Sequence, residues 1–546
     1  MKKNSSVRAL ENKANKGDIN ALFQLAEYYA QGQFVTQDIA LANLYYEKVL
    51  AAFINPTIQL SSLKLINFRP FKEIELDFTK QPNFTVLVGV NGAGKTTLLD
   101  AISKSLSWLI RCFISQSGNG DFIELLDINN ESELDYSSVI SVFSVSGHSY
   151  NLELSKSRNG SNTRKSGQYQ EIKQLAELYK LANAKNDRFN FPILAFYSVE
   201  RALDVNEKDT IPFDEITNQI NGNKFSGYES SLKGSANFKL FFRWFKQLED
   251  ISNADNRKNQ DVLTRIEKLQ AELNSDFVKE MENQSHQNTE TQAILKTFQK
   301  NKQDEIAQLQ QQITDEVLSK ASQTLQSVTQ AIYDFMPGFS QLRIQRSPTW
   351  DMLIDKAGTT LNILQLSQGE KSLLALVADI TRRLVLLNPS LSDPLQGNGI
   401  VLIDEIDLHL HPKWQQTIIP NLSRTFPNIQ FIVSTHSPQV LSLVHRESIR
   451  LLGNDTEGHK IAVIPRSESY GEFSNDVLES IMYVNPQPPI KEKTDLDRLI
   501  ELVDQGQFNT SEASELLEKL NATLGATHPQ LQRIARSIKR QNFLNS

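Results

Sequence analysis

The chain has 546 residues, 39% hydrophobic and 22% charged, with a formal net charge of −7; this is room for roughly two to four domains, and the acidic balance excludes a surface that is basic throughout, so any nucleic-acid contact must come from a local patch or a bound partner. The single cysteine, Cys112, excludes an internal disulfide and a cysteine-based zinc site. The most apolar long run, Leu98–Ile114, is broken by Asp100, Lys104 and Arg111 and is no membrane span, and the N-terminus lacks the apolar core of a signal peptide, so a cytoplasmic protein is expected.

Residues 1–57 read as a helical pair: Leu22, Leu25, Ala26 and Tyr29 recur at helical spacing, Gly32 interrupts, and Ala42, Tyr45, Tyr46 and Val49 resume. Leu63, Leu65 and Phe68, then Ile74, Leu76 and Phe78, alternate with polar residues as an antiparallel strand pair does. The unbroken apolar run Phe84–Val88 predicts a buried parallel strand. Short strands within 137–155, a loop over 156–167, a helix over Gln168–Ala184 and an apolar strand over Phe191–Tyr197 follow. Between 238 and 335, Val262, Ile266, Leu269 and Leu273 are answered by Ile306, Leu309, Ile313 and Val317. Spacings of three and four make a coiled-coil seam, and the polar stretch Asn283–Thr289 turns it into an antiparallel hairpin with arms of roughly 40 Å; two amphipathic helices packed on the rest of the chain fit the same pattern. The tail is helical over Leu496–Val503, Ala513–Leu524 and Leu531–Ile538. It ends in Arg533, Arg536, Lys539 and Arg540, either a docking face for a partner or nucleic acid or a solvated one.

Four motifs carry chemistry. Gly89-Val90-Asn91-Gly92-Ala93-Gly94-Lys95-Thr96 is a P-loop between a predicted strand and helix. Backbone amides from Gly89 through Thr97 can cradle phosphates, Lys95 bridges the outer phosphates, and Thr96 ligates magnesium. The apolar strand from Gly399 ends in Asp404, assigned to magnesium, and Glu405, assigned as general base. A further apolar strand from Phe431 delivers His436, in reach of a γ-phosphate or its attacking water if the strands are neighbours. Leu366-Ser367-Gln368-Gly369-Glu370 precedes a helix over Lys371–Leu387, whose N-terminus can receive phosphate from outside the subunit. His409 and His411 alternate as metal ligands do, but lack a third neutral ligand.

In this order the motifs resemble the ABC ATPase head of SMC and RecF proteins. The resemblance implies an α/β P-loop head with an antiparallel β subdomain, a short coiled-coil hairpin insertion, a small N-terminal helical repeat unit and a helical C-terminal region. The expected divisions are 1–57, 58–237, 238–335, 336–450 and 451–546. It also implies ATP and Mg2+, and a head-to-tail homodimer, or a higher homo-oligomer, in which Ser367, Gly369 and Glu370 of one subunit close on ATP held by the other. Gln368 and Glu370 depart from the commonest signature. Phe68 and Arg69 end a strand similar to the opening strand of that group, which makes them candidates for approaching adenine and phosphates. Asp407–Pro412 is similar to the segment that lies across the dimer. The magnesium-sensing glutamine has no clear counterpart, and the loop Tyr197–Arg201 stands in for it. Ala21–Tyr46 resembles one Sel-type repeat, which must pack on the rest of the chain or on a partner.

The whole plan looks like the PtuA-type ATPases of Septu and retron-associated anti-phage systems. That implies a partner HNH nuclease of the PtuB kind and, in retrons, a reverse transcriptase with its multicopy single-stranded DNA, with no membrane involved. The chain shows no nuclease site of its own: Asp495-x-Asp497 has no glutamate-bearing strand before it, and no His-Asn-His finger occurs. The competing reading is a RecF- or SMC-like DNA-repair clamp that grips DNA directly with its hairpin.

Overall fold

The computed structural model describes residues 5–544 apart from 82, 116–117, 162–164, 200–222, 237, 274, 276–277, 279–288, 316–319 and 348–349. The turn expected after Asn283 and the far end of the loop Tyr197–Arg201 therefore lie outside the described residues. Contacts divide the chain into Met1–Phe473 and Ser474–Ser546.

The first unit is built on three sheets. Strands β1 (Ile58–Phe68), β2 (Phe71–Asp77), β4 (Tyr136–Val145) and β5 (His148–Ser157) form an antiparallel sheet in the order β2-β1-β4-β5. Strands β3 (Phe84–Val88), β6 (Ile193–Tyr197), β10 (Gly399–Ile403), β11 (Ile429–Ser434), β12 (Ile449–Asn454) and β13 (Lys460–Val463) form the central sheet, in the order β13-β12-β3-β11-β10-β6. All its pairs are parallel except β12 with β13. Every residue of β3, β6, β10 and β11 is buried, which is why these strands read as continuous apolar runs rather than alternating ones. The division expected at 451 falls inside β12, since β12 and β13 complete this sheet. Strands β7 (Phe339–Gln345), β8 (Asp351–Lys356) and β9 (Thr359–Asn362) make a small antiparallel sheet that sequence periodicity did not announce.

A polar residue joins the two larger sheets. Pairing of β1 with β2 begins only at Ser62, so the Leu60 backbone, still opposite Phe143 of β4, has no strand on its other side. Gln430 of β11, only 1% exposed, supplies both missing partners, accepting from Leu60 N at 2.7 Å and donating to Leu60 O at 2.9 Å. A buried amide side chain is tolerated there because its acceptor and one donor are matched.

The N-terminal segment has three helices rather than the expected pair: Ser5–Ala14, Ile19–Gln31 and Ile39–Ala52. Asp18 and Asp38 cap the latter two, and Gly32 ends the second in the left-handed region at φ 70°. The unit packs on the rest of the chain through Phe53 against Tyr179 and through the Tyr150 hydroxyl, which donates to Asn20 at 2.8 Å. In the insertion, helix Phe238–Leu273 meets helix Thr289–Asp315 through Ile266, Leu269 and Ile306. The ion pairs Arg265–Glu305 (3.1 Å) and Glu272–Lys302 (2.7 Å) join rising to falling residue numbers, so the two helices run antiparallel. Helix Lys320–Phe335 continues back towards β7.

The second unit contains helices Ser474–Ser480, Lys493–Asp504, Ser511–Leu524 and Pro529–Leu544. The last three share a core that includes Leu496, Leu499, Leu502, Leu520, Leu531 and Ile534. No helix among the described residues is long and apolar enough to cross a membrane.

Candidate nucleotide site

Three neighbouring parallel strands, β3, β11 and β10, end at the same edge of the central sheet, and each releases one motif there. After β3 the chain passes through Gly89–Gly94 into helix Lys95–Ile114. Gly92 and Gly94 have φ of 78° and 102°, where side-chain-bearing residues are strained. A methyl at Gly94 would stand 2.3 Å from the Phe71 ring, so the β1–β2 hairpin closes one side of the loop. The helix has no side-chain cap, which leaves the first-turn amides of Lys95, Thr96 and Thr97 available to an anion. Val90, Asn91, Gly92 and Thr96 are exposed at the rim, whereas Lys95 is buried and donates to Gly89 O at 2.9 Å and Val90 O at 3.3 Å. Burial pushes the Lys95 ammonium below its ordinary pKa, and nearby Asp404, Glu405 and Asp407 only partly offset this.

The acids are held by the tip of β11. Asp404, 2% exposed, accepts from Thr96 Oγ1 at 2.8 Å on one oxygen and from Ser434 Oγ on the other. Ser434 Oγ in turn accepts from Glu405 N at 2.8 Å, with Glu405 in the left-handed region at φ 46°. Strained backbone of this kind concentrates at active sites. Asp407 accepts from Thr435 Oγ1 and, at 3.4 Å, from His436 N, so it fixes the backbone that carries the histidine. Thr96 and Asp404 offer hard oxygen donors side by side, a set that suits Mg2+. Lys95, Thr96, Asp404, Glu405 and His436 thus come together, and Ser434 and Asp407 join them. Ser434 carries no role in the sequence reading, and Asp407 enters it only as the first residue of the Asp407–Pro412 segment; the signal for both as supports of the site is adjacency, Ser434 two residues before His436 and Asp407 two after Glu405.

The signature segment sits elsewhere. Ser367 caps helix Gln368–Leu387 and is exposed, as is Gln368. The Ser367 amide donates to Glu370 Oε2 at 2.9 Å, and Lys356 Nζ donates to Glu370 Oε1 at 2.6 Å. Burial alone would raise the Glu370 carboxyl, but these hydrogen bonds outweigh it and hold it below the ordinary range. With both oxygens engaged, Glu370 completes a capping box with Ser367. Gly369 lies against the Asp407–Pro412 segment, where an added methyl would stand 2.3 Å from His409 O. His411 is used as a helix cap, its Nδ1 accepting from Lys413 N at 3.2 Å.

Phe68 and Arg69 lie at the end of the β1–β2 hairpin. Phe68 is fully buried. Arg69 is bound by Asp100 on the P-loop helix at 2.6 Å and by Asp127 at 2.9 Å, so it ties the β1–β2 hairpin to that helix. A longer-range tie runs from the signature helix. Asp379 accepts from the Tyr197 hydroxyl at 2.9 Å and from Arg383 Nε at 2.7 Å, all three being buried. Tyr197 O accepts from Asp404 N at 2.8 Å, which brings this network to the acids.

Residues 59–441 match the family described as "AAA ATPase domain". The "Retron Ec83 probable ATPase" of Escherichia coli is 37% identical over 521 residues, covering 95% of this chain and 93% of that protein. The "Retron Vc95 probable ATPase" of Vibrio cholerae serotype O1 biovar El Tor is 34% identical over 511 residues, covering 92% and 95% respectively. The "Septu protein PtuA" of Bacillus mycoides (strain KBAB4) is 32% identical over 154 residues, covering 24% of this chain and 21% of that protein.

Proposed function

The chain belongs to the PtuA/retron-type family of ATPases and is an ATPase, and from that premise we propose that it is the nucleotide-driven subunit of an anti-phage system, controlling a separate HNH nuclease of the PtuB kind. Retron association, with a reverse transcriptase and its multicopy single-stranded DNA as further partners, belongs to the same proposal, and the two retron relatives support it. The observation that carries the site reading is the convergence of Lys95, Thr96, Asp404, Glu405 and His436 at the ends of three adjacent strands. Lys95 neutralises outer-phosphate charge, first-turn amides of the P-loop helix cradle the phosphates, and Thr96 and Asp404 hold the metal. Magnesium, when bound there, would supply positive charge against the charge of the phosphates. Glu405 takes the proton of the attacking water, and His436, oriented through Asp407, contacts the γ-phosphate. Ser367 and Gly369 of a second copy complete the pocket head-to-tail, which agrees with the exposed helix N-terminus at Ser367.

The test combines ATP turnover, nucleotide binding and size analysis. Glu405→Gln is expected to keep ATP and the dimer while losing roughly 10²–10⁴-fold in hydrolysis, the usual worth of a positioned base. Lys95→Ala is expected to lose binding itself, and Ser367→Arg to bind ATP without dimerising. Full turnover by Glu405→Gln would move the base elsewhere. Tagged protein expressed from its native operon is expected to bring down a nuclease, and a solitary peak would refute the partner assignment.

A further inference from the structure

Helix Pro529–Leu544 carries Arg533, Arg536, Lys539 and Arg540 and not one acidic residue, within a chain whose net charge is −7. Its apolar stripe, Leu531, Ile534 and Ile538, packs on the core of the second unit. At 100° per residue the four cations fall on an arc of about 120° on the opposite face, climbing about 10 Å along the axis. All four are exposed.

Three acids of the neighbouring helices pair within those helices, Glu501 and Glu512 with Arg498 and Asp495 with Lys519, while Asp504 lines a cavity beside Arg533 without forming an ion pair with it. Among the described residues none of the four cations of the last helix enters an ion pair. Phe543 lies in the same arc, 81% exposed. Arg536, Lys539, Arg540 and Phe543 therefore stand at i, i+3, i+4 and i+7, one surface of cations with an aromatic ring at its end.

We propose that this face binds single-stranded nucleic acid, its cations on successive phosphates and Phe543 stacked on a base. A polyanion with regular phosphates matches an all-cationic face. A protein partner would be expected to meet apolar anchors at the centre of the patch, and here the centre is charged. The exposed ring favours a strand with unpaired bases over a duplex, since bases inside a duplex offer no face to stack on. The inference is independent of the nuclease assignment and of the ATP site, because none of these residues belongs to the nucleotide-binding machinery.

The experiment is fluorescence anisotropy on the full chain with labelled single-stranded and duplex oligonucleotides of several sequences, over a salt series. Four phosphate contacts to a single strand give a slope of log K against log salt of about −2.8, and Arg536→Gln/Lys539→Gln/Arg540→Gln is expected to reduce it to about −0.7. Phe543→Ala is expected to weaken single-strand binding about 5- to 150-fold with the slope unchanged. Arg536→Lys/Arg540→Lys keeps the slope, which separates loss of charge from loss of fold, and far-UV circular dichroism checks helicity. ATP turnover stays at the wild-type rate in each variant. Wild-type binding that lacks salt dependence, an unchanged slope in the triple variant, or tighter duplex binding indifferent to Phe543→Ala would overturn the proposal. So would absence of oligonucleotide binding together with loss of the nuclease partner in the triple variant.

Discussion

Gly369→Ala sets two physical effects against each other. Intrinsic helix propensity favours alanine over glycine by about 1 kcal/mol, so an isolated helix would gain. In the folded chain the new methyl would stand 2.3 Å from His409 O, a backbone atom that cannot rotate away. Even a close carbon-to-oxygen contact needs about 3.3 Å, so helix and segment must separate by about 1 Å. Overpacking of this kind costs about 1–3 kcal/mol, which cancels or exceeds the propensity gain. The displaced parts are Ser367 on one side and the Asp407–Pro412 segment on the other, and a shift of about 1 Å in a catalytic constellation is worth about 10²-fold in rate. Gly369→Ala is therefore expected to retain ATP binding and to lose about 10²-fold in turnover. Calorimetric nucleotide titration and a phosphate-release assay measure the two. A variant that is more stable than wild type and hydrolyses ATP at the wild-type rate would refute the reasoning, because the contact with His409 would then be compliant.

Two further substitutions probe the supports of the site. Asp407→Asn keeps the shape but replaces the charged acceptor of Thr435 and His436, and hydrolysis is expected to fall about 10-fold with the affinity for ATP retained, as steady-state kinetics with nucleotide titration would show. Arg383→Met leaves Asp379 buried with only Arg382 and Tyr197 as polar partners; loss of one member of such a buried pair costs about 3–5 kcal/mol, so the variant is expected to unfold at markedly lower denaturant.

Much of the fold was legible because the central strands are buried on both faces and so appear as unbroken apolar runs at Phe84–Val88, Gly399–Ile403 and Phe431–Val433. The P-loop, the paired acids and His436 were readable from position at the ends of those runs. Their adjacency was not, because strand order is set by pairing between distant segments; only the structure puts β11 between β3 and β10. The contacts of Phe68 and Arg69 were not legible for a physical reason: a residue at a strand end can face the core or the ligand, and the acids that hold Arg69, Asp100 and Asp127, come from elsewhere in the chain. The capping role of Glu370 was hidden likewise, since the spacing of a capping box is also the spacing of a signature segment. The sheet β7–β8–β9 escaped notice because its strands are only partly buried and so present no unbroken apolar run.

The place of β3 has a consequence for biosynthesis. Both strands that flank it, β11 and β12, begin at residue 429 or later, although β3 itself ends at Val88. On a ribosome adding about 5–20 residues per second, the phosphate-binding strand emerges tens of seconds before either neighbour exists. During that interval an apolar segment has nothing native to pair with, so the yield of newborn chains is expected to rise when chaperones are co-expressed.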